Sequence, residues 1–301
     1  MIAIDLGSNS FRCIEYDCEK ALWGKSFEAI VKTADQMHQT KRVNEAAQQR
    51  IIDAINEAKL VLDFTQEVKA VTTAAMRMAI NAHEVIKHIS NETGVTFKVI
   101  DDQKEAYYTT LAVENRLNTL DITSSSFVMI DVGGGSTEVI FVHAGKKLSK
   151  SFPIGIVGVA QQCHTPEEVH HLLITLLKPV KAFVDTYYKD NGIVSTFVAT
   201  AGTPTTMAAY LQEMDYKSYD SSKINGYQLS LNATQKSLDE LLALNEEERA
   251  QKVGVGRENL IVAGIVIVQE LYRILGFEMA IVIDDSLREG LALDFCRKFD
   301  N

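Results

Sequence analysis

Strand-like and helix-like periods alternate along this chain, and the alternation runs through twice. The first pass opens with the apolar runs MIAID, RCIEYD and ALWGKSFEAIV, followed by the helical spacing of NEAAQQRIIDAINEAKLVLDF. VKAVT, a helix near residues 75 to 90 and the strand VTFKVID come next, and a helix is predicted from Gln103 to about Leu117. NTLDITSSS reads as a polar connector, after which the pattern restarts with SFVMIDVGGG, STEVIFVHAG and KKLSKSFPIG as strands. Helical stretches follow near 166 to 189, 204 to 214, 232 to 252 and 257 to 275, with GIVSTFVATAG and MAIVID as later strands and SLREGLALDFCRKF as a closing amphipathic helix. Short apolar runs bounded by turns and separated by amphipathic stretches predict an α/β fold with both parallel and hairpin-joined strands. The apolar LIVAGIVIVQELYRILGF is expected to be a core helix, and part of it is a candidate dimer face.

The restart is also a repeat. Ile4-Asp5-Leu6-Gly7-Ser8-Asn9-Ser10 aligns with Ile130-Asp131-Val132-Gly133-Gly134-Gly135-Ser136 as I-D-aliphatic-G-small-(N or G)-S, which predicts two similar domains. Gly within strand-forming sequence costs stability and packs nothing, so the glycines imply a turn or a close approach to the backbone. A strand that delivers Asp to a Gly/Ser turn places a carboxylate beside backbone N–H groups, which suits a metal-chelated phosphate. One such turn alone is read as an ordinary hairpin; a matched pair points to phosphate held from both sides. The candidate phosphate ligands are Gly7, Ser8, Asn9, Ser10, Gly133, Gly134, Gly135, Ser136 and Thr137, and the candidate metal ligands are Asp5, Asp131 and Glu138. A third Gly-rich stretch, ATAGTPTTMAAY, has the form strand, turn, helix, which makes Gly202 and Thr203 anion-binding candidates, with ordinary capping as the alternative.

Composition narrows the class. At 301 residues and 46% hydrophobic content the chain is long enough for two cores. A net charge of −10 argues against broad nucleic-acid or membrane-surface binding, so an anionic substrate needs a local site of amides, Arg or Lys, and a metal ion. The amino terminus shows no signal peptide and no apolar run is long enough to span a bilayer, which makes a cytoplasmic location the default. Cys13, Cys18, Cys163 and Cys296 lack CxxC spacing and are expected to be free thiols. His164, His170 and His171 near Cys163 are read as a solvated helix surface in preference to a metal site.

Taken together the motifs resemble the exopolyphosphatase and guanosine pentaphosphate phosphatase (Ppx/GppA) family, within the sugar kinase, Hsp70 and actin superfamily. The resemblance rests on IDLGSNSFR, TAAMRMAIN, IDDQKEAYYTTLAV, IDVGGGSTEVIF, SFPIG, AGTPTTMAA, RENLIVAGIVIV and SLREGLAL, eight segments in order along the chain. It implies two ribonuclease H-like domains, residues 1–118 and 119–285, with the helix 286–301 packing back on the first and the active site in the interdomain cleft. It further implies Mg²⁺-dependent hydrolysis of the terminal phosphoanhydride of polyphosphate or guanosine penta/tetraphosphate. The family's catalytic carboxylate falls on Glu105, its Arg on Arg77, and its metal-associated acids on Asp131 and Glu138. These roles are chemically coherent, because phosphoryl transfer needs oriented water and neutralised oxygens more than covalent chemistry. A first-turn Glu favouring the helix dipole, and a surface ion pair for Arg77, are the plainer alternatives.

Three departures from the family pattern stand out. Lys104 replaces the first Glu of the usual pair, with Asp101-Asp102 in place of Ser-Gly, and Lys104 is expected to lower the pKa of Glu105 or add a phosphate contact. Gly158 stands where the family usually carries Arg. The resemblance is expected to be to the short, two-domain members, because the sequence ends at residue 301 without the helical extension of the long ones. Kinase or ATPase activity of the same superfamily, and a catalytically weak nucleotide sensor, remain as alternative functions.

Overall fold

A computed structural model describes residues 1–122, 126–163, 165–215 and 218–297. Part of the polar connector, His164 and the last four positions of the closing helix lie outside the described residues. The chain forms two compact units, one made of Met1–Glu114 with the segment from Asp285 onward, the other of Asn115–Asp284.

The first unit holds a five-stranded sheet of β1 (Ile2–Leu6), β2 (Ser10–Asp17), β3 (Leu22–Ile30), β4 (Val68–Thr72) and β5 (Lys98–Val99), in the order β3-β2-β1-β4-β5. The second holds β6 (Ser126–Val132), β7 (Thr137–His143), β8 (Lys146–Phe152), β9 (Thr196–Thr200), β10 (Tyr227–Ser230) and β11 (Met279–Ile283), in the order β10-β11-β9-β6-β7-β8. Each sheet begins with an antiparallel three-strand meander whose first strand then pairs in parallel with the next strand, β1 with β4 and β6 with β9. The repeat seen in the sequence is therefore a repeat of topology, with β10 added at the edge of the second sheet. β1 and β7 are buried along nearly their whole length, as strands covered on both faces must be, whereas the edge strand β8 is exposed until Ser151.

Local chemistry divides three stretches that periodicity reads as single helices. Residues 75 to 90 split into Ala74–Met78 and Ala82–Thr93, because buried Asn81 accepts from Val43 N–H and donates to Val43 O, both at 3.0 Å. Around Leu177 the helix Pro166–Leu176 ends and Lys178–Asn191 begins, with Pro179 in its first turn, where a missing N–H costs nothing. Asn245 opens Glu246–Val253 through a capping box with Glu248, ending the preceding helix at Ala243. The apolar helix Leu260–Leu275 is buried on every side from Ile261 to Gln269 and forms the centre of the second unit's core, which leaves no dimer face there.

In the first unit the closing helix, Leu287–Cys296, packs on β1 and β2 within a core of Met1, Ala3, Tyr16, Tyr108 and Leu291. The expectation of four free thiols is corrected by the fold. Cys18 and Cys296 form a disulfide across a separation of 278 residues, while Cys13 and Cys163 are free. No local spacing could announce a pair that only the fold brings together. Because the bridge ties the carboxyl-terminal helix to the first hairpin, Cys296→Ser is expected to lower stability by about 2–4 kcal/mol under oxidising conditions. Thermal unfolding with and without dithiothreitol checks this: the gap between wild type and variant should close once the bridge is reduced.

Candidate active site

The two matched turns close in the same way. Gly7 N–H donates to Ser10 O and Gly133 N–H donates to Ser136 O, each at 2.9 Å. In both, the turn's carbonyls are tied to a later segment. Asn9 O accepts from the N–H groups of Val31 and Lys32, and Ser8 O from Ala34; Gly133 O and Gly134 O accept from Ile156 and Val157. None of the three glycines at 133–135 has a positive φ, so left-handed backbone is not what requires them. The position that must be bare is on the segment that crosses the turn, at Gly155. A Cβ on Gly155 would lie 2.3 Å from Gly134 O and 2.4 Å from Gly135 Cα. Gly155 was not among the sequence candidates.

In the first unit Glu105 lies in the first turn of the helix Asp102–Thr119, almost fully buried. Arg77 Nη1 donates to Glu105 Oε2 at 2.6 Å and to Ile100 O at 3.0 Å, so the guanidinium is anchored to backbone as well as to the carboxylate. Burial raises the Glu105 pKa above its ordinary 4.5, with the charge and hydrogen bond of Arg77 opposing and Asp102 adding to the rise. Of the two expectations for Lys104, a lowered Glu105 pKa is corrected. Its ammonium lies 4.1 Å from the Tyr107 ring centre, 4.4 Å from that of Tyr108 and 3.6 Å from Asp294 Oδ2. It therefore fastens the closing helix and does not lower the Glu105 pKa.

Asp5 stands at the end of β1 opposite Arg12, and its Oδ1 is enclosed without a hydrogen-bond partner although other parts of the residue reach solvent. Its pKa is raised from 3.8 to about 7, chiefly by burial; Arg12 and Arg288 oppose the rise, and Glu105 and Glu289 add to it. Arg288 and Glu289, joined at 2.6 Å, come from the SLREG segment, whose residues carried no role in the sequence reading. A raised carboxyl pKa means that the native state holds a proton the unfolded chain has released, so this contribution is present at low pH and is lost between about pH 4 and 7. Asp5→Asn, in chelator, should therefore gain on wild type by about 2 kcal/mol between pH 5 and pH 8, measured by urea unfolding. A constant difference across that range refutes the assignment.

In the second unit Asp131 and Glu138 are direct register partners across β6 and β7. Glu138 is buried and Asp131 partly exposed, so the pair sets two carboxylates side by side on one face of the sheet. Two carboxylates also match the ligand set of Mg²⁺, which keeps several waters and takes one or two protein carboxylates with substrate phosphates. Among the described residues no group of three or more His, Cys, Asp or Glu could hold a metal ion, and His170 pairs instead with Glu270 at 3.0 Å.

Two candidate contacts are redirected. Thr137 is fully buried and its hydroxyl donates to Ile154 O at 2.6 Å. Thr203 is buried with its side chain packed on Gly264. The neighbouring hydroxyls of Thr205 and Thr206 donate to Gly202 O at 3.0 and 2.8 Å. Ala201, just before this turn, has φ 63° and ψ 178°, a strained combination for a residue with a Cβ. Ser8 and Ser136 are buried in their turns, and Gly7, Asn9, Ser10 and Gly133 to Gly135 keep partial exposure.

A model of the Ppx/GppA phosphatase family matches residues 25–299. The chain belongs to that family. It is 26% identical to exopolyphosphatase 2 of Mycobacterium tuberculosis over 97% of both proteins. It is 25% identical to the guanosine-5'-triphosphate,3'-diphosphate pyrophosphatase of Aeromonas salmonicida, over 96% of this chain and 58% of that one. A bifunctional 3-dehydroquinate synthase/phosphatase of Fusobacterium nucleatum is 25% identical over 97% of this chain, which spans only 46% of that protein. Among solved structures, the Ppx/GppA family member of Aquifex aeolicus superposes with a TM-score of 0.74 at 30% identity, covering 100% of this chain and 98% of the other. The match to the Ppx/GppA family runs through both units.

Proposed function

We propose that this Ppx/GppA protein hydrolyses the terminal phosphoanhydride of inorganic polyphosphate or guanosine pentaphosphate, with Glu105 activating the attacking water. The observation that carries the reading is the Glu105–Arg77 pair. Burial makes the carboxylate a better proton acceptor than a surface Glu, while Arg77, pinned by Ile100 O, fixes which oxygen is occupied. The activities for which the mycobacterial and Aeromonas relatives are named support the same substrate class. Both substrates end in the same anhydride, so one set of residues serves either. Gly7 to Ser10, Gly133 to Ser136 and the amides of Gly202 and Thr203 are proposed to bind phosphoryl oxygens. Asp131 and Glu138 would hold Mg²⁺, which when bound supplies positive charge to those oxygens.

The test is phosphate release by the purified chain with Mg²⁺ and polyphosphate, guanosine pentaphosphate or ATP. Release from either of the first two that disappears on substitution of Glu105 is the expected result. Turnover of ATP alone would identify an ATPase or kinase instead, and nucleotide binding without turnover a sensor.

A further inference from the structure

One row of side chains crosses the second sheet at the level of the triple-glycine turn. Thr200 is in register with Asp131, Asp131 with Glu138, and Glu138 with Ser151, so two hydroxyls flank two carboxylates on neighbouring strands. Register partners on adjacent strands share a sheet face, which brings these four to one side. Ser151 ends the exposed run of β8, yet its Oγ donates at 2.6 Å to Oε1 of buried Glu138. A hydroxyl-to-carboxylate bond of that length is charge-assisted and holds the acceptor's rotamer.

We propose that Ser151 is a positioning residue that orients the Glu138 carboxylate for a divalent cation. The proposal rests on the reading of Asp131 and Glu138 as metal ligands. Two chemical facts favour it. A carboxylate opposite another carboxylate is repelled from the position in which both face one cation, and a neutral donor on its far side counters that drift without competing for the metal. Partners of this outer kind set ligand orientation and tune metal affinity.

The experiment compares Ser151→Thr, which keeps a hydroxyl, with Ser151→Val, which has the same shape without one. Mn²⁺ affinity by electron paramagnetic resonance, with Mg²⁺ competition, is read on the intact chain beside the Mg²⁺ dependence of phosphate release. Ser151→Val should weaken Mn²⁺ binding about 10-fold or more, and Ser151→Thr by no more than about twofold. Both variants suit a strand, and Ser151→Ala replaces Val if that variant fails to fold. Equal Mn²⁺ affinity in wild type, Thr and Val proteins, with Glu138→Gln still losing the ion, overturns the role of Ser151 alone. Unchanged affinity in Glu138→Gln overturns the metal reading and this proposal together.

Discussion

Glu105→Gln should lower the rate constant for phosphate release by about 10²–10⁴-fold while leaving the fold in place. The two side chains have the same shape, and the amide oxygen of Gln can still accept the bond that Arg77 Nη1 now gives at 2.6 Å. What is lost is the capacity to take a proton. Glu105→Ala is a poorer probe, because it leaves the half-buried guanidinium without its carboxylate and confuses stability with chemistry. The pH profile adds a second readout. A general base must be ionised, so activity falls as pH drops through the Glu105 pKa, and burial places that fall above the ordinary carboxylate value of 4.5. A Gln variant with near wild-type turnover and an unchanged acid limb would reduce Glu105 to a structural partner of Arg77.

Much of this arrangement was legible in the chain, and the parts that were not share a cause. The two turns could be found because Asp5-Leu6-Gly7 and Asp131-Val132-Gly133 repeat a local pattern, and local patterns carry local geometry, down to the same closing bond to Ser10 and Ser136. Glu105 stood out only through resemblance, since a Glu in a first helical turn is common for reasons of the helix dipole. The direction of Lys104 was not readable. Which way a long side chain turns depends on its surroundings, in this case the rings of Tyr107 and Tyr108 and the carboxylate of Asp294. The break at Asn81 depends on Val43, and the Cys18–Cys296 bridge on residues at opposite ends of the chain. The hydroxyl of Thr137 fitted a phosphate ligand by composition, but strand alternation alone could not say that Ile154 O would take it.

Gly155→Ala should be strongly damaging, lowering stability by about 2–4 kcal/mol and Mg²⁺-dependent phosphate release with it. The added Cβ would fall 2.3–2.4 Å from backbone atoms of Gly134 and Gly135, and backbone cannot swing aside as a side-chain tip can. Relief requires moving the turn. That turn joins β6 to β7, and so fixes the register that sets Asp131 against Glu138. Gly158, three residues on in the short helix Ile156–Ala160, supplies the internal control, because a Cβ there meets nothing within 4 Å. Gly158→Ala should raise stability by about 0.5–1 kcal/mol through the lower backbone entropy of the unfolded chain. Urea midpoints and Mn²⁺ affinity of the two variants measured together separate the causes. A loss confined to Gly155→Ala locates the sensitivity in the contact with the turn. Equal losses at both sites would place it in the helix instead, and close approach to the turn would no longer explain the glycine at 155.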